Sequence, residues 1–296
     1  MLAITFAAVL WGTTGVAVAY LDDLTSLTAT TIGFYRLLIS AVALLAFTAV
    51  RGRTGALIRI TREAPGRVIL TGVGLGAYQA LYFIAVVSAG VGVATVVSLG
   101  VAPVVTTAWE SIRNRRRPAL RTVATVVAAL AGLALISAAA PAQAGPHPLA
   151  GLLAAIASGT VYAISTLLSR NLSQRADALT LTTTTSIVGA LALLPIAYTQ
   201  GLAFPVGVAT AGLLGYTGVV TTALAYAMFY AGLRTVPGSV AAVVTLLEPL
   251  TAALLAVAIL SEPLPGLTIA GGVLLLAAVA ALYARPRVYR PVSALS

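Results

Sequence analysis

Two ionisable residues lie where charge is expensive. Arg36 and Glu248 each stand ten residues inside a long apolar stretch, counted from Ser26 and from Gly238. At 1.5 Å of rise per helical residue, stretches that cross a bilayer place both about 15 Å deep, near the midplane. Insertion scales put the cost of such a group at roughly 2.5–3.5 kcal/mol, so it needs a counter-charge or access to water. One reading is a coupling or substrate-anchoring site. The other is an Arg36–Glu248 ion pair that locks two helices together. Glu110, beside Arg113 at the end of its stretch, reads as half of an interfacial ion pair, and Asp22, Asp23 and Glu262 as solvated loop charges.

Aromatic residues supply a second constellation. Tyr78 and Tyr82 are four apart and share a helix face, as do Tyr226 and Tyr230. Trp11 and Tyr162 lie well inside their own stretches, where an indole or phenol wants a polar partner. A cavity lined by these residues can stack on an apolar or aromatic group; ordinary packing tyrosines are the alternative. Tyr20, Tyr198, Tyr283 and Trp109 fall near stretch ends and read as headgroup anchors. Pro103 and Pro249 interrupt the backbone ladder and deprive the Leu99 and Thr245 carbonyls, four residues earlier, of their usual donor. Such carbonyls can line a cavity, and a kink that improves packing is the simpler use. Gly72, Gly74 and Gly76 permit close helix contact.

The remaining composition removes whole classes of function. No cysteine exists, so thiolate nucleophiles and cysteine-ligated metals are excluded. The single histidine, His147, sits in a short Pro-rich connector and makes a catalytic metal site improbable. No lysine exists, so there is no Gly-rich phosphate loop with its lysine, and the chain does not itself use ATP. Nothing calls for a cofactor. An intramembrane enzyme needs a nucleophile with its base or a carboxylate pair, and none stands out. A channel wants polar rings around one axis.

The elements that must position these residues follow from hydropathy. Of 296 residues 60% are hydrophobic and only 8% charged, with a mean hydropathy of +1.04. Too little charge remains to cover a water-soluble surface, so the surrounding medium is lipid. The apolar runs are about 20 residues long, the length of a spanning helix and twice that of a barrel strand. The expected fold is an all-α membrane protein of ten transmembrane helices, roughly 1–20, 26–50, 68–88, 91–112, 122–140, 149–170, 178–198, 206–233, 238–260 and 266–284. Pro141, Pro146, Pro205, Pro237 and Pro263 mark several of the breaks. The first run lacks a basic leader and a cleavage site, and reads as a retained helix.

The arginines test the span count independently. Sixteen of the seventeen follow even-numbered spans, in the groups 51–67, 113–121, 170–175, 234 and 285–290. A miscounted span would scramble that alternation. The positive-inside rule then puts both termini in the cytoplasm. The net charge of +10 is thereby a topology signal and not a nucleic-acid footprint; the expected partners are membrane lipid and a small-molecule substrate.

The two halves repeat. At an offset of 146 residues Gly72 matches Gly218, Phe83 matches Phe229, Gly92 matches Gly238 and Pro103 matches Pro249, while Gly12 and Thr13 match Gly159 and Thr160 at 147. Five spans is an odd number, so the second half enters the membrane with inverted topology. The reading is one transmembrane domain over 1–296, with repeats at about 1–140 and 149–284 and a cytoplasmic tail over 285–296. Inverted repeats suit secondary transport, because similar halves can exchange roles between inward- and outward-open states.

With these motifs the chain resembles the EamA-type branch of the drug/metabolite transporter superfamily. The likeness rests on Leu10, Trp11 and Gly12 in span 1; Phe34, Tyr35 and Arg36 in span 2; Pro103 in span 4; and Glu248 and Pro249 in span 9, ahead of Ser261, Glu262 and Pro263. It implies export or exchange of amino acids, metabolites or drugs across the bacterial inner membrane, and within the branch it is nearest the YddG-type aromatic amino acid exporters. It also favours the interhelical lock for Arg36. A drug exporter is the main alternative, followed by a scaffold or an intramembrane enzyme.

Overall fold

Lipid offers no partner for backbone N–H and C=O groups, so each apolar run must close its own hydrogen bonds as a helix. The computed structural model describes residues 1–139, 145–203, 207–260 and 265–284. Among these residues ten helical spans are long and apolar enough to cross a membrane: Leu2–Leu24, Ala29–Val50, Pro65–Ala89, Val91–Arg113, Leu120–Ala138, Pro148–Ser173, Ala178–Gln200, Val208–Leu233, Gly238–Ile259 and Gly266–Tyr283. The protein is an all-helical, multi-pass membrane protein. Spans 1 and 6 run a few residues beyond where hydropathy ended them. Pro141, Pro205, Ser261, Glu262, Pro263, Arg285, Arg287 and Arg290 lie outside the described residues.

Six spans form two groups around the middle. Spans 3, 4 and 6 pack together, and so do their repeat counterparts 8, 9 and 1. In the first group Ser98 Oγ donates to Ser158 Oγ, which donates to the Tyr78 carbonyl, both at 2.8 Å. In the second, Gly12 lets span 1 lie against the backbone of span 9. A Cβ there would stand 2.7 Å from the Glu248 carbonyl oxygen and 2.5 Å from Thr251 Cβ. Gly159 serves span 6 the same way against the Ser98 carbonyl of span 4. The two repeats thus use the same kind of contact, displaced by one helical turn along the partner span. Gly72 and Gly76 face span 7, and Gly74 faces Ser165 of span 6, as the small-residue spacing leads one to expect.

Flanking pairs close the ring. Spans 2 and 7 pair through Ser40 and Ser186, 3.0 Å apart, and through the Tyr35 hydroxyl, which donates to the Leu202 carbonyl at 2.7 Å. Spans 5 and 10 cross where Gly132 meets Gly271. A further helix, Thr54–Glu63, lies where the sequence suggested only a basic connector. It buries Leu57 and Ile60 and is too short and polar for a hydropathy window to register. Beside it Asp177 caps span 7, accepting from the Thr180 amide at 3.2 Å and the Thr180 hydroxyl at 2.8 Å. Asp177 also pairs with Arg53 at 3.0 Å. Partial burial works to raise its pKa, but the Thr180 bonds and Arg53 outweigh it and hold the carboxyl below the usual range.

Helical irregularities collect in one group. Span 1 divides into Leu2–Gly12 and Thr14–Leu24, span 8 carries a π-helical stretch at Val219–Leu224, and span 9 divides between Val244 and Leu247. Their counterparts, spans 6, 3 and 4, run unbroken. Pro249 does not leave the Thr245 carbonyl free, contrary to expectation. The chain tightens there, so that carbonyl accepts from the Glu248 N–H at 3.0 Å. The Thr245 hydroxyl in turn donates to the Ala242 carbonyl at 3.0 Å.

Candidate functional site

The two groups meet at one end only. Call the end that carries the arginine-rich connections the basic end. There the half-helices Ala225–Leu233 and Gly238–Val244 of spans 8 and 9 pack onto spans 4 and 6. Ile4, Ala7 and Ala8 of span 1 are wholly buried at the same end. At the other end, the segments Thr14–Leu24, Val208–Gly218 and Leu247–Leu260 make no more than marginal contact with spans 3, 4 and 6. Glu248 and Thr251 are accordingly only half-buried, whereas Val243 to Leu247 are buried. The groups thus stand apart at the end opposite the arginines, leaving a gap, or vestibule, between them.

Aromatic rings make its floor. The Tyr78 and Tyr226 hydroxyls share a 2.7 Å hydrogen bond that joins span 3 to span 8 across the gap. Tyr162 stands edge-on to Tyr78 at 5.2 Å, and Tyr230 lies 5.9 Å from Tyr226. Trp11 packs on Tyr226 at 4.9 Å and on Phe229 at 5.3 Å. The cavity bounded by these rings on the basic side has about 10 Å³, room for about one water. The floor is therefore closed to a solute. Tyr82 sits a turn nearer the open end and shares a 2.9 Å bond with Thr95 of span 4. It does not join the main ring cluster.

Charge is placed beside this floor. Glu248 lies within electrostatic range of the hydroxyls of Tyr78, Tyr82 and Tyr162. Arg36 reaches both Glu248 and Tyr78 in the same way. Yet no Arg36–Glu248 contact lies within 4.0 Å among the described residues, whose ion pairs are Arg53–Asp177 and Arg59–Glu63. The tight lock is absent from this conformation, in which the Arg36 carbonyl of span 2 lies close to Gly218 of span 8. The Arg36 Nε–H and the Trp11 Nε1–H are buried donors without an acceptor among the described residues. The hydroxyls of Thr14, Thr71, Thr107 and Thr166 are likewise buried without a partner among the described residues.

The other expected residues take lesser places. Leu99 is half-buried against the main core, and Pro103 is buried in an unbroken helix. Tyr20, Tyr198, Tyr283 and Trp109 are between 40% and 75% exposed, as headgroup anchors should be. Glu110 does not pair with Arg113. Its carboxylate instead accepts from the Gly238 amide at 2.8 Å, the Ser239 amide at 3.4 Å and the Ser239 hydroxyl at 2.5 Å. Three donors in fixed directions outcompete one flexible arginine that water can solvate.

A model of the EamA-like transporter family matches residues 1–138 and again residues 149–284. The chain belongs to the EamA-like transporter family. Among its relatives is the uncharacterized transporter YwfM of Bacillus subtilis strain 168, 30% identical over 228 residues, which are 76% of this chain and 74% of YwfM. The uncharacterized inner membrane transporter YicL of Salmonella typhimurium strain LT2 is 25% identical over 230 residues, 77% of this chain and 76% of YicL. A crystal structure at 20% identity covers 94% of each chain with a TM-score of 0.79, which is likeness of fold. The family match falls on both five-span halves, so vestibule and floor belong to a transporter architecture.

Sequence reading missed two members of this EamA-like site. Phe229 served only as a repeat marker, although it lies three residues from Tyr226 and so on the same face. The bond between Thr13 and the Tyr216 hydroxyl, 2.7 Å, joins residues 203 apart and has no local signal.

Proposed function

We propose that this EamA-like transporter exports or exchanges amino acids, aromatic ones among them, across the bacterial inner membrane by alternating access. The carrying observation is the vestibule that ends on Trp11, Tyr78, Tyr162 and Tyr226 with Glu248 beside them. An aromatic floor offers stacking area to a ring. Glu248 and Arg36, close but unpaired, are complementary to the ammonium and carboxylate of a zwitterion, which favours an amino acid over a purely cationic drug. The narrower kinship with YddG-type exporters belongs to the same proposal. The arginine distribution supports a cytoplasmic basic end, with both termini inside and the vestibule facing outward.

Purified protein in liposomes preloaded with L-phenylalanine or L-tryptophan should show counterflow of the radiolabelled amino acid. Phenethylamine and phenylpropionate, each lacking one charged group, should compete poorly. Tyr78→Ala and Tyr82→Ala should weaken or redirect counterflow more than they lower purified yield. Movement of a cationic dye with no amino acid counterflow would turn the reading towards a drug exporter. Reporters fused after Arg62 or Arg116 should be active on the cytoplasmic side, and those at Asp23, Gly145 or Gly201 on the periplasmic side.

A further inference from the structure

Across the closed end of the pathway runs one carboxylate bridge. The basic-end half of span 9 begins at Gly238, after Pro237, whose side chain has no group with which to cap a helix. The first amides of any helix need an acceptor. Here Glu110 of span 4 supplies it, through the bonds to Gly238 and Ser239 described above. A negative group at a helix N-terminus also gains from the helix dipole. Two neighbours from span 6 grip the same connection. Arg170 Nε donates to the Val236 carbonyl at 3.1 Å, and Gln174 Nε2 donates to the Arg234 carbonyl at 2.9 Å. All three tie the group of spans 3, 4 and 6 to the group of spans 8, 9 and 1.

The repeat shows what the other end lacks. At the offset of 146 that pairs Pro103 with Pro249, Gly238 corresponds to Gly92, Ser239 to Val93 and Glu110 to Ala256. At the offset of 147 that pairs Gly12 with Gly159, Arg170 corresponds to Asp23, a carboxylate that has no N–H to donate to a carbonyl. The vestibule end is built on the same plan without the carboxylate, the hydroxyl or the guanidinium.

We propose that Glu110 is the latch of the basic-end gate, and that the missing counterpart at Ala256 biases the substrate-free protein towards the state open at the opposite end. Glu110 is a positioning residue. It touches no solute and acts by holding the start of span 9 against span 4. The inference rests on the alternating-access reading, because a latch matters only if that gate opens.

The chain has no cysteine, so one introduced thiol is the only one present. Ser169→Cys, at a position 3% exposed behind the floor, reports opening at the basic end. Thr95→Cys, beside Tyr82 in the vestibule, reports opening at the other end. Labelling by a membrane-impermeant maleimide is followed in vesicles of each orientation, in otherwise wild-type protein and with Glu110→Ala or Glu110→Gln. Losing a hydrogen bond to a charged group shifts a two-state equilibrium by about tenfold or more. Glu110→Ala should therefore raise Ser169→Cys labelling by about tenfold and lower that of Thr95→Cys. Glu110→Gln, which keeps one acceptor, should fall between.

The converse variant, Val93→Ser with Ala256→Glu, supplies the missing latch and should lower Thr95→Cys labelling while Glu110 stays intact. It decides the matter if Glu110→Ala does not fold. Monodisperse Glu110→Ala protein with unchanged labelling at both reporters overturns the latch, as does no response to Val93→Ser with Ala256→Glu. Failure of alternating access is separately visible: a solute that shows counterflow would then change neither reporter in protein that keeps Glu110.

Discussion

The Trp11 and Tyr226 rings stand 4.9 Å apart at 56°, joining span 1 to span 8, while the Trp11 Nε1–H finds no acceptor among the described residues. Packing alone does not need an indole there, since an unmet buried N–H costs about 1–3 kcal/mol. Trp11→Phe keeps most of the ring contact and removes the donor. Its melting temperature in detergent should equal or exceed wild type, while affinity for a carboxylate-bearing solute falls about tenfold, the worth of one hydrogen bond to a charged group. Equal losses of melting temperature and affinity would assign Trp11 to packing.

Gly12 illustrates how closely spans 1 and 9 approach. The added Cβ of Gly12→Ala would meet the Glu248 carbonyl oxygen at 2.7 Å and Thr251 Cβ at 2.5 Å, and backbone cannot move aside cheaply. Overpacking of this kind costs about 1–3 kcal/mol. Gly212, also on a helix, has open space where its Cβ would stand. Gly212→Ala should leave the melting temperature unchanged or slightly raised, while Gly12→Ala lowers it and impairs transport. A harmless Gly12→Ala would mean that the two spans are not this close in the membrane.

Asp177 gives a dependence on acid. Its folded pKa lies below the unfolded value, held there by Thr180 and Arg53 against partial burial. Its stabilising contribution is thus fully present above the unfolded aspartate value near 4, and is lost as pH falls through the lower folded value. Asp177→Ala should cost about 0.5–2 kcal/mol at pH 7, mostly from the lost helix cap, because the exposed Arg53 pair adds little. Asp177→Asn retains the cap and should cost less. The gap between wild type and Asp177→Ala should narrow below about pH 4 in melting measurements, and a gap independent of pH would remove the charge from the account.

What was legible in the sequence follows from the range of each signal. Lipid forces helices, so runs of apolar residues place all ten spans, and the arginine alternation checks them. Repeat offsets paired spans 3 and 4 with 8 and 9, and the similar Gly12 and Gly159 contacts follow that pairing. Depth marked Trp11, Tyr78, Tyr82 and Tyr162, and spacing marked Tyr226; these converge except for Tyr82, which pairs with Thr95 instead. Partners were hidden wherever selection among donors occurs in space. Glu110 stands beside Arg113 in sequence but 128 residues from the Gly238 amide that it accepts from. Thr245 was misjudged because proline's missing N–H says nothing of how the chain tightens to replace it. The π-helical stretch at Val219–Leu224 has no proline to announce it.

Glu248 and Arg36 offer the sharpest choice between coupling and structure. They lie within electrostatic reach of each other without an ion pair inside 4.0 Å, and Glu248 is half-buried at the vestibule floor. A residue in that place can exchange protons or meet an ammonium group, whereas a locked one cannot. Glu248→Gln should therefore keep a near-wild-type melting temperature, yet weaken binding of an ammonium-bearing solute and lose accumulation driven by a pH gradient. Arg36→Gln should weaken binding of a carboxylate-bearing solute. The two changes together should add in stability to within about 0.5 kcal/mol, as expected of residues that do not share a bond. A buried pair behaves otherwise: either single change costs about 3–5 kcal/mol and the second restores part of the loss. Such a coupling, measured by melting all four proteins, would establish the lock in place of the site. Wild-type melting together with an undiminished response of Glu248→Gln to the pH gradient would leave Glu248 with neither role.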